Sequence, residues 1–171
     1  MMKRFLFLIL LCSFARTAQG QTQEEEANLK AAFIYNFTTY IDWDTSDVEN
    51  DFVIGVIGPS SVTAPLTEIA RTNTVKSKKI VIKQFNTPDE IDFCNILFIA
   101  RNSPYSLQTI LAKANKGALT IGEEAGFAEQ GTAFNFIVVN DKLKFEANVK
   151  SINAAGLKAS SQLLKLAIIV N

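Results

Sequence analysis

The sequence predicts an α/β fold: a single compact domain with a mostly parallel sheet flanked by helices, ending in a C-terminal β-hairpin and a closing helix. Three observations predict it. Short apolar runs (FVIGVIG, CNILFIA, GALTIG) alternate with amphipathic stretches, the pattern of buried parallel strands joined by helices that cover both faces. The last third switches to two strand-like runs on either side of Asn140 and Asp141, the local signal for a tight hairpin. The chain has 171 residues, 48% hydrophobic and 10% aromatic, which suffices for one real core and excludes disordered and collagen-like classes.

The first twenty residues stand apart from that domain. Lys3 and Arg4 form a short basic region, FLFLILLCSF an apolar one, and TAQG places Ala18 and Gly20 at the small positions before a cut. Residues 1–20 therefore read as a secretory signal peptide, cleaved near Gly20, with residues 21–171 as the exported domain. Its apolar run of about ten residues is too short to cross a bilayer of roughly 30 Å. Losing Lys3, Arg4 and Arg16 takes Lys+Arg from 17 to 14 against 17 Asp+Glu, so the mature charge is −3 and nucleic acid is not an expected partner. Cys12 leaves with the signal. Cys94 then has no intramolecular partner and reads as a buried small hydrophobe.

Residues 21–25 form a polar, acidic lead-in that is expected to be mobile. KAAFIYNFTTYIDWD, Lys30 to Asp44, follows as a helix. Steps of 100° put Leu29, Phe33, Phe37, Tyr40 and Ile41 on one stripe, leave Lys30, Ala31, Thr38 and Asp42 off it, and set Asn36 and Trp43 on its flank. Asn36 is expected to bond backbone in the core, and Trp43 to cap the core or anchor a partner.

After the acidic turn DTSDVEND the order is strand (FVIGVIG), helix (Ser61 to Arg71), strand (KKIVIKQF), turn or short helix (TPDEID), strand (CNILFIA), helix (Ser103 to Asn115) and strand (GALTIG). TAFNFIVVNDKLKFEANV supplies the hairpin. KSINAAGLKASSQLLKLAIIV closes the chain as helix, broken or bent near Gly156. On that helix Ser160 and Ser161 join the core stripe, while Leu166 and Ile169 fall on the face of Lys158 and Gln162, where apolar side chains suit a partner or a sheet neighbour.

The sequence contains no histidine, which removes His-based triads, His-ligated zinc and a His pH switch; one cysteine cannot build a thiolate metal site. No metal and no cofactor is expected. GVIGPSS matches neither nucleotide-loop pattern, though Ser60 and Ser61 would lie at a helix N-terminus beyond the carboxyl end of a strand, where ligands of open parallel sheets tend to sit. GEEAGFAEQG leaves the fourth strand at the same edge and offers Glu123, Glu124 and an exposed Phe127 for recognition. Glu146 and Asn148 share the solvent side of the second hairpin strand.

The order KAAFIYNFTTYIDWD, FVIGVIG, CNILFIA, GFAEQGTAFNF, KFEANVKSINAAGLKASSQLLKLA resembles the YfiR family of bacterial periplasmic proteins over nearly the whole mature chain. The resemblance implies a compact α/β domain acting as a non-enzymatic periplasmic regulator. The type member represses a membrane-bound diguanylate cyclase, YfiN, by binding its periplasmic sensing domain, and so lowers cyclic di-GMP; an outer-membrane partner, YfiB, sequesters the repressor. Some members are dimers, and some are tuned by redox state or small ligands. Two departures stand out: Cys94 has no partner for a disulfide, and Thr132 follows Gly131 where many relatives have a second glycine. An alternative expectation is a periplasmic small-ligand-binding module serving a histidine kinase or other membrane sensor. A hydrolase or transferase would need Glu123, Glu124 and Glu146 to converge.

Overall fold

The computed structural model describes residues 23–43 and 51–170. The signal peptide expected at 1–20 and most of the acidic turn, 44–50, lie outside them. In chain order the elements are α1 (23–40), β1 (Ile41–Asp42), β2 (Phe52–Ile57), α2 (Thr63–Thr72), β3 (Thr74–Val75), β4 (Lys78–Phe85), a 3-10 turn (Pro88–Glu90), β5 (Ile96–Ile99), α3 (Leu107–Leu111), β6 (Leu119–Gly122), β7 (Phe134–Val139), β8 (Lys142–Asn148), α4 (Val149–Ala154), β9 (Lys158–Ala159), α5 (Ser161–Leu164) and β10 (Ile168–Val170).

Eight of these strands form one sheet in the order β10-β8-β7-β6-β5-β2-β4-β3. From β4 to β7 every neighbouring pair is parallel; β8 returns antiparallel to β7, β10 runs parallel to β8, and β3 is antiparallel to β4. The six residues of β2 and the four each of β5 and β6 are all buried, as expected where both faces are covered. One face carries Ile54, Val56, Ile96, Phe98, Phe134 and Phe136 under α1 and α2; the other carries Val53, Ile57, Leu97 and Ile99 under α3. Asn140 and Asp141 both have positive φ, +51° and +58°, which a tight two-residue hairpin turn requires and which these side chains tolerate.

The helix α1 differs from expectation in which face it buries. Ala27, Lys30, Ala31, Ile34, Phe37, Thr38 and Ile41 are buried, whereas Leu29 and Tyr40 are exposed. Two alanines let the helix lie close to the sheet, and Phe33 and Phe37 reach past them to the rings of Phe134, Phe136 and Phe145 at centroid distances of 4.7 to 6.1 Å. The Thr38 hydroxyl donates to the Tyr35 carbonyl at 2.6 Å, so its burial costs little. Residues 23–25 of the expected mobile lead-in already belong to the helix.

The helix stops at residue 40 rather than running to Asp44, because the next two residues pair as β1 with β9 and the Ser160 N–H donates to the Tyr40 carbonyl at 2.9 Å. The closing segment is likewise not one helix. It divides into α4, β9, α5 and β10, with the break at Gly156, whose φ of +79° ends α4. Ser160 caps α5, its hydroxyl accepting the Leu163 N–H at 3.2 Å, and Ile168–Val170 extend the sheet beside β8. The helix over Ser103 to Asn115 shortens to α3 for a similar reason, since Ser106 takes extended backbone and caps it by accepting the Thr109 N–H.

Candidate functional site

The crossover from β2 to β4 passes over one face through α2, and that from β5 to β6 over the other through α3. The carboxyl ends of β2 and β5 are therefore the point where the sheet's winding reverses, the usual ligand edge of such sheets. Gly58 leaves β2 there with φ +87°, and a Cβ on it would stand 3.1 Å from the Ser103 Cα, so the two loops touch backbone to backbone. Ser60 lies beside them, its hydroxyl accepting the Val62 N–H at 3.2 Å, and Ser61 is exposed.

One strand further along, the same edge holds an ionic clasp. Lys30 of α1 reaches Glu123 Oε2 with its Nζ at 2.7 Å and Glu26, one turn earlier, at 2.6 Å. The other carboxylate oxygen of Glu123 accepts the Arg101 N–H at 3.1 Å, and the Arg101 guanidinium donates twice to the Glu123 carbonyl, at 3.2 and 3.0 Å. The Lys30 and Glu123 side chains are only 8% and 12% exposed, so this pair sits where its attraction is little screened. It ties α1, the loop after β5 and the loop after β6 together.

Beneath the loop of residues 123–133 runs a polar seam. Gly122, the last residue of β6, admits the Phe127 ring: a Cβ there would lie 2.7 Å from Phe127 and 2.9 Å from the Asn135 Oδ1. Asn135 is fully buried and donates to Glu146 Oε2 at 2.8 Å; its Oδ1 and the Thr132 hydroxyl are buried with no partner. Asn148 donates to the Ala128 carbonyl at 2.8 Å and accepts the Ser151 N–H at 3.0 Å, thereby capping α4. Thr120 accepts the Ala133 N–H at 2.9 Å. These bonds stitch the loop onto the sheet and leave Glu124, Glu129 and Gln130 exposed on it.

The sequence-predicted residues thus fall into five places. Glu123, Phe127, Glu146 and Asn148 come together around the loop, with Glu124 exposed above them. Phe127 is half-buried against the core under α3 rather than exposed, and on β8 Asn148 is buried under this loop while Glu146 is half-buried beside Asn135. Ser60 and Ser61 lie across the edge at the β2 end. Leu166 and Ile169, 72% and 47% exposed, sit at the far edge of the sheet with Ile168. Asn36 is exposed, so it makes no core bond; Trp43 is 5% exposed, its ring at right angles to Phe52 and its Nε1 donating to the Asn95 carbonyl at 3.3 Å, which makes it a core cap.

Sequence reasoning missed Lys30, Arg101 and Asn135. The i,i+4 spacing of Glu26 and Lys30, and a polar Asn135 between two phenylalanines, were the available signals. Glu123 and Glu146 are each engaged by different partners, and among the described residues no group of carboxylates or cysteines has metal-holding geometry. Cys94 is fully buried, and burial, helped by the charge of Asp92, pushes its thiol up to about 12.

A sequence model of the family described as YfiR/HmsC-like matches residues 27–168. No curated protein matches the chain. Among the described residues no helix is long and apolar enough to cross a membrane.

Proposed function

The chain belongs to the YfiR/HmsC-like family, and from that premise we propose that it is a non-enzymatic periplasmic regulator that binds and restrains a membrane-bound sensor. Membership suggests a role in cyclic di-GMP signalling, and the sensor in that case is a diguanylate cyclase with a periplasmic domain. An outer-membrane partner that sequesters the regulator, and a homodimer, belong to the same reading. The family match across 27–168 carries the proposal. Two observations support it: two of the three carboxylates a hydrolase would need, Glu123 and Glu146, are engaged in structural bonds, and the carboxyl edge is organised as a fixed loop with exposed acidic and amide side chains.

The test is a pull-down of residues 21–171 against solubilised membranes of the host, with mass spectrometry of the captured proteins. Recovery of a cyclase with a periplasmic sensing domain supports the reading. Recovery of a histidine kinase with such a domain keeps the regulator and changes its target; recovery of nothing specific shifts the reading to the ligand-binding alternative.

A further inference from the structure

β4 leaves one stretch of backbone open. It pairs with β2 from Ile80 through Phe85, but on its outer side β3 reaches only Lys78 and Lys79. From Ile80 onward, no strand lies against that outer edge among the described residues. Alternate residues of a strand turn their N–H and C=O groups to a given side, so the edge presents donors and acceptors that another extended backbone would complete.

A groove of about 510 Å³ runs between this edge and α2. Ala70 and Ile82 line it with apolar surface over the buried Ile80, with Arg71 exposed at its rim, and Lys79 stands exposed on the opposite face of β4. On that opposite face Lys83 holds Asp92 at 2.7 Å with side chains 36% and 59% exposed, a weak pair that another carboxylate can replace. At the other end of the sheet β10 has only three residues, too few for a ladder of comparable length.

We infer that the outer edge of β4 is a docking site for an extended, acidic segment of a partner protein, which joins the sheet as a further strand. The backbone ladder supplies affinity without regard to sequence. Specificity comes from alternate side chains, apolar ones against Ala70 and Ile82 on the α2 face and carboxylates against Lys79 and Lys83 on the opposite face. This placement goes beyond the regulator reading and does not depend on it: the pull-down asks who binds, whereas the assay below asks whether this edge accepts a strand.

The probe is an acetylated, amidated hexapeptide, Glu-Val-Thr-Val-Glu-Val, titrated into residues 21–171 and followed by amide NMR shifts and hydrogen exchange. The expected result is shift change and slowed exchange confined to Ile80 through Phe85 and the facing turn of α2. Replacing both peptide glutamates by lysine, or the protein pair by Lys79→Glu with Lys83→Glu, should weaken binding about tenfold, and a central proline in the peptide should abolish it. The inference is overturned if these amides do not respond, if the lysine peptide binds equally well, or if the double variant binds the acidic peptide unchanged. It is also overturned if the same amides are already protected by concentration-dependent self-association, which would make a second copy the occupant.

Discussion

Lys30 and Glu123, 93 residues apart in the chain, meet at 2.7 Å with both side chains almost out of water. The pair closes α1 onto the carboxyl edge of the sheet, at the base of the loop that carries the exposed Glu124 and Glu129. Its energetics follow from burial: each ion has lost hydration, and without the other Lys30 keeps only the half-exposed Glu26 and Glu123 only the Arg101 N–H.

Removing both partners should therefore cost less than the two single removals added together. Lys30→Met or Glu123→Gln alone is expected to destabilise by about 3 kcal/mol, and the double variant by clearly less than the sum. A double-mutant cycle by urea unfolding measures this. Added salt should change the coupling little, because a buried pair is weakly screened.

That pair also shows where sequence reading stopped. The strands were legible because buried parallel strands are apolar without interruption, and the hairpin because Asn140 and Asp141 suit positive φ. The buried face of α1 was not, because periodicity favours large apolar residues such as Leu29 and Tyr40. The fold instead buries Ala27, Ala31 and Lys30, whose suitability depends on close approach to the sheet and on Glu123. The closing segment misled for a related reason. Its helical spacing is real, but pairing of β9 with β1 and of β10 with β8 is tertiary and outweighs local propensity. Asn148 looked solvent-facing because alternation on β8 cannot show that a loop covers that residue.

Thr132→Val tests the polar seam. The hydroxyl is fully buried without a partner, so an apolar isostere should stabilise by about 1 kcal/mol, read as a rise in Tm. Destabilisation would show that the hydroxyl is hydrogen-bonded in solution.

Gly122→Ala should loosen the loop of 123–133. The new methyl would need space held by the Phe127 ring and the Asn135 side chain, at 2.7 and 2.9 Å, and overpacking of this kind costs about 1 to 3 kcal/mol. Faster hydrogen exchange at Phe127 and Thr132 would accompany the loss.

The turn between β3 and β4 holds Lys76 and Ser77 at φ +48° and +68°, a conformation that strains side chains other than Gly, Asn and Asp. Ser77→Gly should therefore stabilise by about 1 kcal/mol. Chemical denaturation would register it as a higher midpoint with an unchanged slope.

Cys94 should resist alkylation in the folded protein and react on unfolding, since its thiol stays protonated up to about 12. Above pH 9.0, the ordinary value, the unfolded chain ionises this thiol while the folded chain does not, so the unfolded state binds fewer protons and stability falls. The fall should run from about pH 9.0 to about 12 at up to roughly 1.4 kcal/mol per pH unit. Cys94→Ala should remove that component of the alkaline slope.

The central claim is that this domain restrains a sensor that makes cyclic di-GMP. Its most direct test is the intracellular cyclic di-GMP level in a host strain lacking the gene, before and after an exported copy is restored. The account predicts a rise on loss and a return on restoration. An unchanged level in both strains, with the restored protein present in the periplasm, would contradict it.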